Sequence, residues 1–365
     1  MKKKIKVLHL IASLENGGAE RQLIELIKKN KNHGVVIFKN ASVYKNTLNM
    51  LNIKYWELGV KNKFLVFFKI LTVSRIIKEF QPNIIQAWMY NACFFSVLCK
   101  IFNIYKTPLI WCIRCSDMTT KYYTISLKFL IIGCRLLSKK VDKIVYNSFS
   151  GMKYHTDLGY SSKNKIVIVN GVNATKFKKS DSLRKSLRDK YKFKKNDIVI
   201  ILVARVDPMK NHKGFLNAFK KAKDNGLDNL KLLLVGKETD SLNIPSDTLA
   251  LGMKLDIEKY YNIADIIMLP SLFGEGFSNV LVEGMLTNLV PVSFNVGDSK
   301  KIINNTGFII EEINEVGLLK VLHKISNSNK TILNQLGKKA RLRAYKNFTP
   351  KIMTEAYYNL YCKVL

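Results

Sequence analysis

The chain has 365 residues, 47% of them apolar and 24% charged. That composition is globular, long enough for two domains that each bury a core, and it excludes a disordered or fibrous chain. The formal charge of +33 is carried by 51 lysines and only nine arginines, and residues 1–175, with 28 basic and 8 acidic side chains, are more basic than the remainder, with 32 and 19. Dispersed lysine attracts polyanions in general. Bases, however, are read chiefly through Arg, Asn and Gln with aromatic stacking, and no such cluster occurs, so a nucleic-acid partner is not expected. The longest apolar runs, at 64–68 and 129–132, fall well short of a membrane-spanning helix.

The first 13 residues imitate a secretory leader, but the apolar stretch is short, holds His9 and lacks a small-x-small cleavage site. It reads better as a first strand over 6–13, in a cytoplasmic chain. Gly17 and Gly18 follow, and then helical periodicity over 19–27. A strand, a glycine pair and a helix start form a turn that tolerates phosphate, with Glu20 and Arg21 as first-turn surface residues. Strands at 35–39, 53–58, 83–88 and 109–113 alternate with helices at 64–80 and 91–102, the rhythm of a doubly wound parallel sheet. The segments 63–78 and 122–140 mix aromatic and aliphatic residues with lysines. They are either helices packed on the sheet with lysine stems lying along apolar surface, or a face resting on anionic lipid.

The strand 109–113 ends in Arg114-Cys115-Ser116-Asp117. Asp117 can accept a proton from a hydroxyl and Arg114 can hold a phosphate; alternatively the two pair with each other. Cys112 and Cys115 form a lone C-x-x-C without the second pair or the nearby His that a zinc site needs, and the six cysteines, mostly inside apolar segments, are expected to be reduced. Strands at 143–147 and 165–169 close a first domain, 1–175, and Asn170-Gly171-Val172-Asn173 has the chemistry of a turn.

The second domain, 176–348, opens on a charged linker and an exposed helix. The strand 198–204 then delivers Arg205 and Lys210 into one loop, and two fixed cations in one loop suit a diphosphate. Further strands are expected at 230–236 and 248–252. Residues 260–265 read as a short amphipathic helix and strand entry, with no chemical role for Tyr261. Two buried strands, 265–271 and 289–294, then flank Gly274-Glu275-Gly276-Phe277-Ser278-Asn279-Val280-Leu281-Val282-Glu283-Gly284-Met285. Open α/β sheets bind ligands beyond the carboxyl ends of such strands. Gly274 and Gly276 let the backbone approach a ligand, and Ser278 or Asn279 can cap a helix starting near Val280, whose first-turn N–H groups face an anion. A carboxylate accepts from two neighbouring hydroxyls at once, so Glu275 and Glu283 suit a ligand with a sugar and a ribose. The alternative is a solvated loop residue and a surface helix residue. A final helix starts at Thr349-Pro350, with Met353, Tyr357, Leu360 and Tyr361 on one stripe.

The Gly274 to Met285 segment, followed by Pro291-Val292, resembles the donor-site segment of the retaining glycosyltransferases of family 4 with the GT-B fold, and further matches run in order along nearly the whole chain. The resemblance implies an α/β fold of two Rossmann-like doubly wound parallel-sheet domains facing a central cleft, with the helix 349–365 packing back on the first domain. It implies transfer of a hexose or N-acetylhexosamine, with retention, from a nucleotide-diphosphate sugar to a hydroxyl of a lipid-linked glycan in surface polysaccharide synthesis (O-antigen or capsule). Carried onto this sequence, Arg205 and Lys210 hold the donor diphosphate, Glu275 the sugar hydroxyls and Glu283 the ribose. Main-chain groups around Gly276, Phe277, Ser278, Asn279 and Val280 complete the anion site, Gly252 adjoins the nucleobase, and Gly17 and Gly18 lie near the diphosphate.

Trp88, Arg114, Ser116 and Asp117 fall on the acceptor side. Many relatives carry a histidine at the end of the strand 83–88 and another at 113–117; this chain has neither, which leaves Asp117 or the departing phosphate to take the proton. The expected catalytic set is Arg205, Lys210, Glu275 and Asp117. No Asp-x-Asp metal signature occurs, so neither metal nor cofactor is expected, the nucleotide sugar being a substrate. Expected partners are the nucleotide sugar, a lipid-linked saccharide and an anionic membrane surface, on the inner face of the cytoplasmic membrane. Two readings of other kinds are a nucleotide-sugar epimerase of the same fold and a basic nucleic-acid-binding protein without catalysis.

Overall fold

The structure is a computed structural model that describes residues 4–15, 17–28, 30–40, 43–61, 63–116 and 125–365. Its contacts divide the chain into two compact units, Met1–Gly171 with Pro350–Leu365, and Val172–Thr349. The first unit thus ends at Gly171 rather than at residue 175, and it takes back the C-terminal helix.

Seven strands are described in the first unit: β1 (Val7–Ile11), β2 (His33–Ile37), β3 (Lys54–Glu57), β4 (Ile84–Trp88), β5 (Leu109–Ile113), β6 (Lys143–Tyr146) and β7 (Lys165–Val167). They form one sheet in the order β3-β2-β1-β4-β5-β6-β7, parallel at each pairing. The order reverses between β1 and β4, and there the carboxyl ends of two neighbouring strands lead to opposite faces. Alternation along each strand sends Leu8, Leu10, Val36, Phe38, Ile85 and Trp111 to one core. Val7, Ile11, Val35, Ile37, Ile84 and Trp88 go to the other, which is closed by Met353, Tyr357, Leu360 and Tyr361 of the helix Pro350–Val364. This helix belongs to the first sheet because its apolar positions recur every three to four residues, which gathers them on one face.

The second unit holds β8 (Ile198–Val203), β9 (Leu230–Val235), β10 (Thr248–Ala250), β11 (Ile266–Leu269), β12 (Val290–Phe294) and β13 (Phe308–Ile310). Their order is β10-β9-β8-β11-β12-β13, again parallel, with the reversal between β8 and β11. Both sheets are doubly wound, as the alternation of strand and helix predicts.

Several local expectations change. The helix expected at 64–80 is a 3-10 segment, Lys63–Lys69, followed by an α-helix, Ile70–Phe80. The segment 122–140 contains the helix Ile125–Leu137, and of its first residues only Ile125 onward is described. Phe67 and Gly133 both meet Phe94 of the helix Met89–Ile101, so the two segments lie side by side across that ring. Phe67, Ile70, Leu127 and Ile131 pack on the core, whereas Phe68, Leu71, Ile125, Phe129 and Leu136 are exposed. One side of these segments is thus packed on the core and the other is exposed.

Candidate functional site

In the second unit the loop after β8 and the loop after β11 are neighbours because their strands pair. Leu272 N–H donates to the Met209 carbonyl at 2.9 Å and ties them together. The first loop carries a 3-10 turn, Pro208–Lys210, capped by Asp207, whose carboxylate accepts from Met209 N–H. Lys210 at the end of that turn reaches across to Glu275 on the second loop: Nζ donates to Oε1 at 2.5 Å, and Ser271 Oγ donates to the same oxygen at 2.8 Å. Glu275 is 8% exposed, so its charge is sheltered from water and held by these two donors, while Oε2 remains for another. A buried carboxylate left without a partner is costly, and the pairing explains why Glu275 sits inward instead of being a solvated loop residue.

Arg205 stands in the same loop, with its side chain 65% exposed. Its Nε and Nη2 donate to Asp207 Oδ2 at 3.1 and 2.8 Å. Burial pushes the Asp207 carboxyl up, but the hydrogen bonds from Arg205 and from Met209 N–H outweigh it and hold it below the ordinary carboxylate range. One of the two expected cations is thus half-buried beside a glutamate, and the other is exposed beside an aspartate.

The turn Gly274 to Gly276 is braced by the loop after β12. Gly297 has φ +61°, and a Cβ there would lie 2.2 Å from the Glu275 carbonyl oxygen; only glycine allows that approach. Asp298 N–H donates to the Gly276 carbonyl. Ser278 occupies the N-cap position of the helix Asn279–Leu286, yet its side chain caps no N–H. That corrects the expected cap and leaves first-turn donors unclaimed by it. Phe277 is buried edge-on against Phe348, 5.3 Å between centroids, so its ring is packing and only its main chain can serve a ligand. Gly252 follows β10 with φ +66°; its N–H donates to Thr239 Oγ1 and its carbonyl accepts from Gly236 N–H.

Glu283 is 4% exposed, not a surface helix residue. Its Oε2 accepts from the Tyr261 hydroxyl at 2.9 Å, a contact that the reading of 260–265 as strand entry missed. Ser271 and Asp207 were missed too. For Asp207 a signal existed, since Asp before Pro marks a cap; for Ser271 and Tyr261 none did.

In the first unit Gly17 is the N-cap of the helix Gly18–Ile27 in extended conformation, and a Cβ on it would meet the Glu20 carboxylate, while Gly18 has nothing within 4 Å of its Cβ position. Glu20 folds back over this turn. Burial raises its carboxyl above the ordinary range, and its own backbone hydrogen bond only partly offsets this. Trp88 is fully buried, with its indole N–H donating to His9 Nδ1 at 3.1 Å. Arg114 lies over the Trp88 ring, 5.3 Å from its centroid. Its Nη1 donates to Tyr357 Oη at 3.1 Å and its Nη2 to Asn170 Oδ1. Of the expected acceptor-side groups, Trp88 is buried and Arg114 is half-buried, its guanidinium holding Tyr357 of the C-terminal helix and the Asn170 side chain. Ser116 is buried, and its hydroxyl has no partner among the described residues. Asp117, and with it the expected pairing to Arg114, lies outside the described residues.

Three of the five histidines are likewise placed by packing. His9 Nε2 and His33 Nδ1 are 2.7 Å apart, and His155 bridges Tyr90 Oη and the Gly151 carbonyl.

Two parallel-sheet Rossmann-like domains, with paired loops at the strand-order reversal of the second, define the class: a GT-B glycosyltransferase fold. HepE from Anabaena, solved with UDP, superposes with a TM-score of 0.84 at 19% identity, over 98% of this chain and all of that one. Residues 184–343 match the family described as Glycosyl transferases group 1. The UDP-Gal:alpha-D-GlcNAc-diphosphoundecaprenol alpha-1,3-galactosyltransferase of Escherichia coli is 28% identical over 201 residues, which is half of this chain and half of that relative. The GalNAc-alpha-(1->4)-GalNAc-alpha-(1->3)-diNAcBac-PP-undecaprenol alpha-1,4-N-acetyl-D-galactosaminyltransferase of Campylobacter jejuni is 24% identical over 348 residues, 88% of this chain and 89% of the relative.

Proposed function

We propose that the protein is a retaining glycosyltransferase. It moves a hexose or N-acetylhexosamine from a nucleotide-diphosphate sugar to a hydroxyl of a lipid-linked glycan during assembly of a surface polysaccharide. The observation that carries this reading is the meeting of Lys210 and Glu275 from the loops after β8 and β11, at the strand-order reversal where α/β sheets take their ligands. The names of the relatives, two of which act on undecaprenyl-diphosphate glycans, support the acceptor class.

In this mechanism Lys210 and Arg205 hold the diphosphate, and the first-turn N–H groups at Ser278 to Val280 complete the anion site. As the glycosidic bond to phosphate lengthens, negative charge grows on the leaving oxygen. Two cations and a helix start stabilise it without a metal. Glu275 offers Oε2 to sugar hydroxyls, Glu283 holds the ribose, and main chain near Gly252 adjoins the base. The acceptor hydroxyl attacks from the face the diphosphate leaves, and its proton passes to the leaving phosphate. The exposed Phe68, Leu71, Ile125, Phe129 and Leu136, beside Arg135, Lys139 and Lys140, which are also exposed, rest on the anionic inner face of the cytoplasmic membrane, where a lipid-linked acceptor is presented. No helix among the described residues is long and apolar enough to cross a membrane.

The test is product formation from UDP-galactose, UDP-N-acetylgalactosamine and UDP-glucose with undecaprenyl-diphosphate saccharides, in the presence and absence of EDTA, with the anomeric configuration read by NMR. Release of free sugar without acceptor, or loss of transfer in EDTA, contradicts the proposal.

A further inference from the structure

Tyr261 is fully buried, the last residue of the helix Ile257–Tyr261, and 22 positions from the carboxylate that its hydroxyl contacts. Its ring meets Phe177 edge-on, 5.8 Å between centroids at 79°. The backbone that follows is held with unusual completeness. Arg184 Nη1 donates to the carbonyls of Asn262, Ile263 and Ala264 at 3.2, 3.1 and 2.6 Å, and its Nη2 to Asp265 Oδ1 at 2.6 Å. Arg188 adds a bond to the Ile263 carbonyl, and Ser180 N–H donates to Asn262 Oδ1. The phenol therefore has almost no freedom to move relative to β11, and Glu283, on the helix packed over that strand, receives a donor at a fixed place.

We propose that Tyr261 is the positioning residue for Glu283, its hydroxyl setting the plane of the carboxylate so that it receives two neighbouring hydroxyls of the donor's ribose; this rests on the role given to Glu283 above. A carboxylate grips a diol only when its plane faces both hydroxyls, and a glutamate turns freely about its last torsion unless something holds it. A neutral donor 2.9 Å from one oxygen supplies that hold, and it keeps a buried carboxylate satisfied when no ligand is bound.

The experiment titrates UDP and GDP, and the 2′,3′-dideoxy form of whichever binds, into wild type, Tyr261→Phe, Glu283→Ala and the double variant, with donor KM and kcat measured alongside. The expected result for Tyr261→Phe is about tenfold weaker binding of the ribonucleotide, unchanged binding of the dideoxy form, a matching rise in donor KM and kcat within about twofold. Restoring Tyr261 in the Glu283→Ala background should make no difference. Normal ribonucleotide binding by Tyr261→Phe while Glu283→Ala binds weakly overturns the role of Tyr261 alone. Equal weakening of both nucleotides also overturns it, since that is what a loosened structure produces. Normal binding by Glu283→Ala removes the ribose role of Glu283 itself, and binding of neither nucleotide to wild type removes the nucleotide site.

Discussion

Arg205 and Lys210 share a loop but differ in electrostatic company, and the two substitutions should behave differently for that reason. Lys210→Ala leaves the buried Glu275 with Ser271 as its remaining donor. It should therefore lower stability by about 3 kcal/mol as well as abolish transfer. Arg205→Ala trims an exposed side chain and should leave stability within about 0.5 kcal/mol, while turnover falls about a hundredfold. Urea unfolding and initial rates measure both; equal stability losses would contradict the assignment. At this scale the placement of Arg205, Lys210 and Glu275 in loops after apolar strands, and of Glu283 on the helix that follows, was legible. Their partners were not. The contacts of Lys210 to Glu275 and of Tyr261 to Glu283 depend on which strands pair, and the bond of Arg114 to Tyr357 joins residues 243 positions apart.

The helix Asn279–Leu286 carries Glu283 and also decides how closely its axis approaches β11. A Cβ on Gly284 would lie 2.5 Å from Ile267 Cγ2 and 2.7 Å from its Cβ, and a β-branched neighbour cannot swing aside. Gly284→Ala should therefore lift the helix, cost about 1–3 kcal/mol and raise the donor KM, with the KM recovering when Ile267→Ala is added. Kinetics of the single and double variants decide it. Most strands were legible as short apolar runs between breakers. The short β13 at the sheet edge and the helices Glu315–Ser326 and Lys330–Asn347 were not called, since the latter is dominated by charged and polar side chains with only Leu333, Gly337, Ala340 and Ala344 buried. The 3-10 segment Lys63–Lys69 was read as α-helix because an unbroken apolar run carries no phase.

For the whole molecule, acid is the informative variable. Burial pushes the His33 imidazole down to about 4 and His155 likewise to about 4, the latter despite its bond to the Gly151 carbonyl. Burial, and then the neighbouring His33, hold His9 well below its usual value. These groups stay neutral in the folded first unit, whereas the unfolded chain protonates near 6.5. Stability is therefore full above that value and is lost as pH falls towards 4, at roughly 1.4 kcal/mol per pH unit for each imidazole. The second unit holds one lowered histidine, His212. All three tryptophans, at 56, 88 and 111, lie in the first unit, so urea unfolding followed by tryptophan fluorescence should shift to lower urea between pH 7 and 5, by more than the total change in circular dichroism requires of the second unit. A flat midpoint would contradict the neutral histidines. The excess of lysine acts at the same scale: Phe68→Asp with Phe129→Asp should abolish flotation with phosphatidylglycerol vesicles and leave transfer to a short soluble acceptor intact.

The helix Pro350–Val364 completes the core of the first unit, although the whole second unit separates it in the chain from the strands it covers. During synthesis, then, the amino-terminal sheet emerges first and is finished last. It must wait on the ribosome with one apolar face only partly covered, by the helix Gly18–Ile27, while the 172–349 segment, which is continuous, folds by itself. Nascent chains arrested short of Tyr357 should be those that chaperones hold.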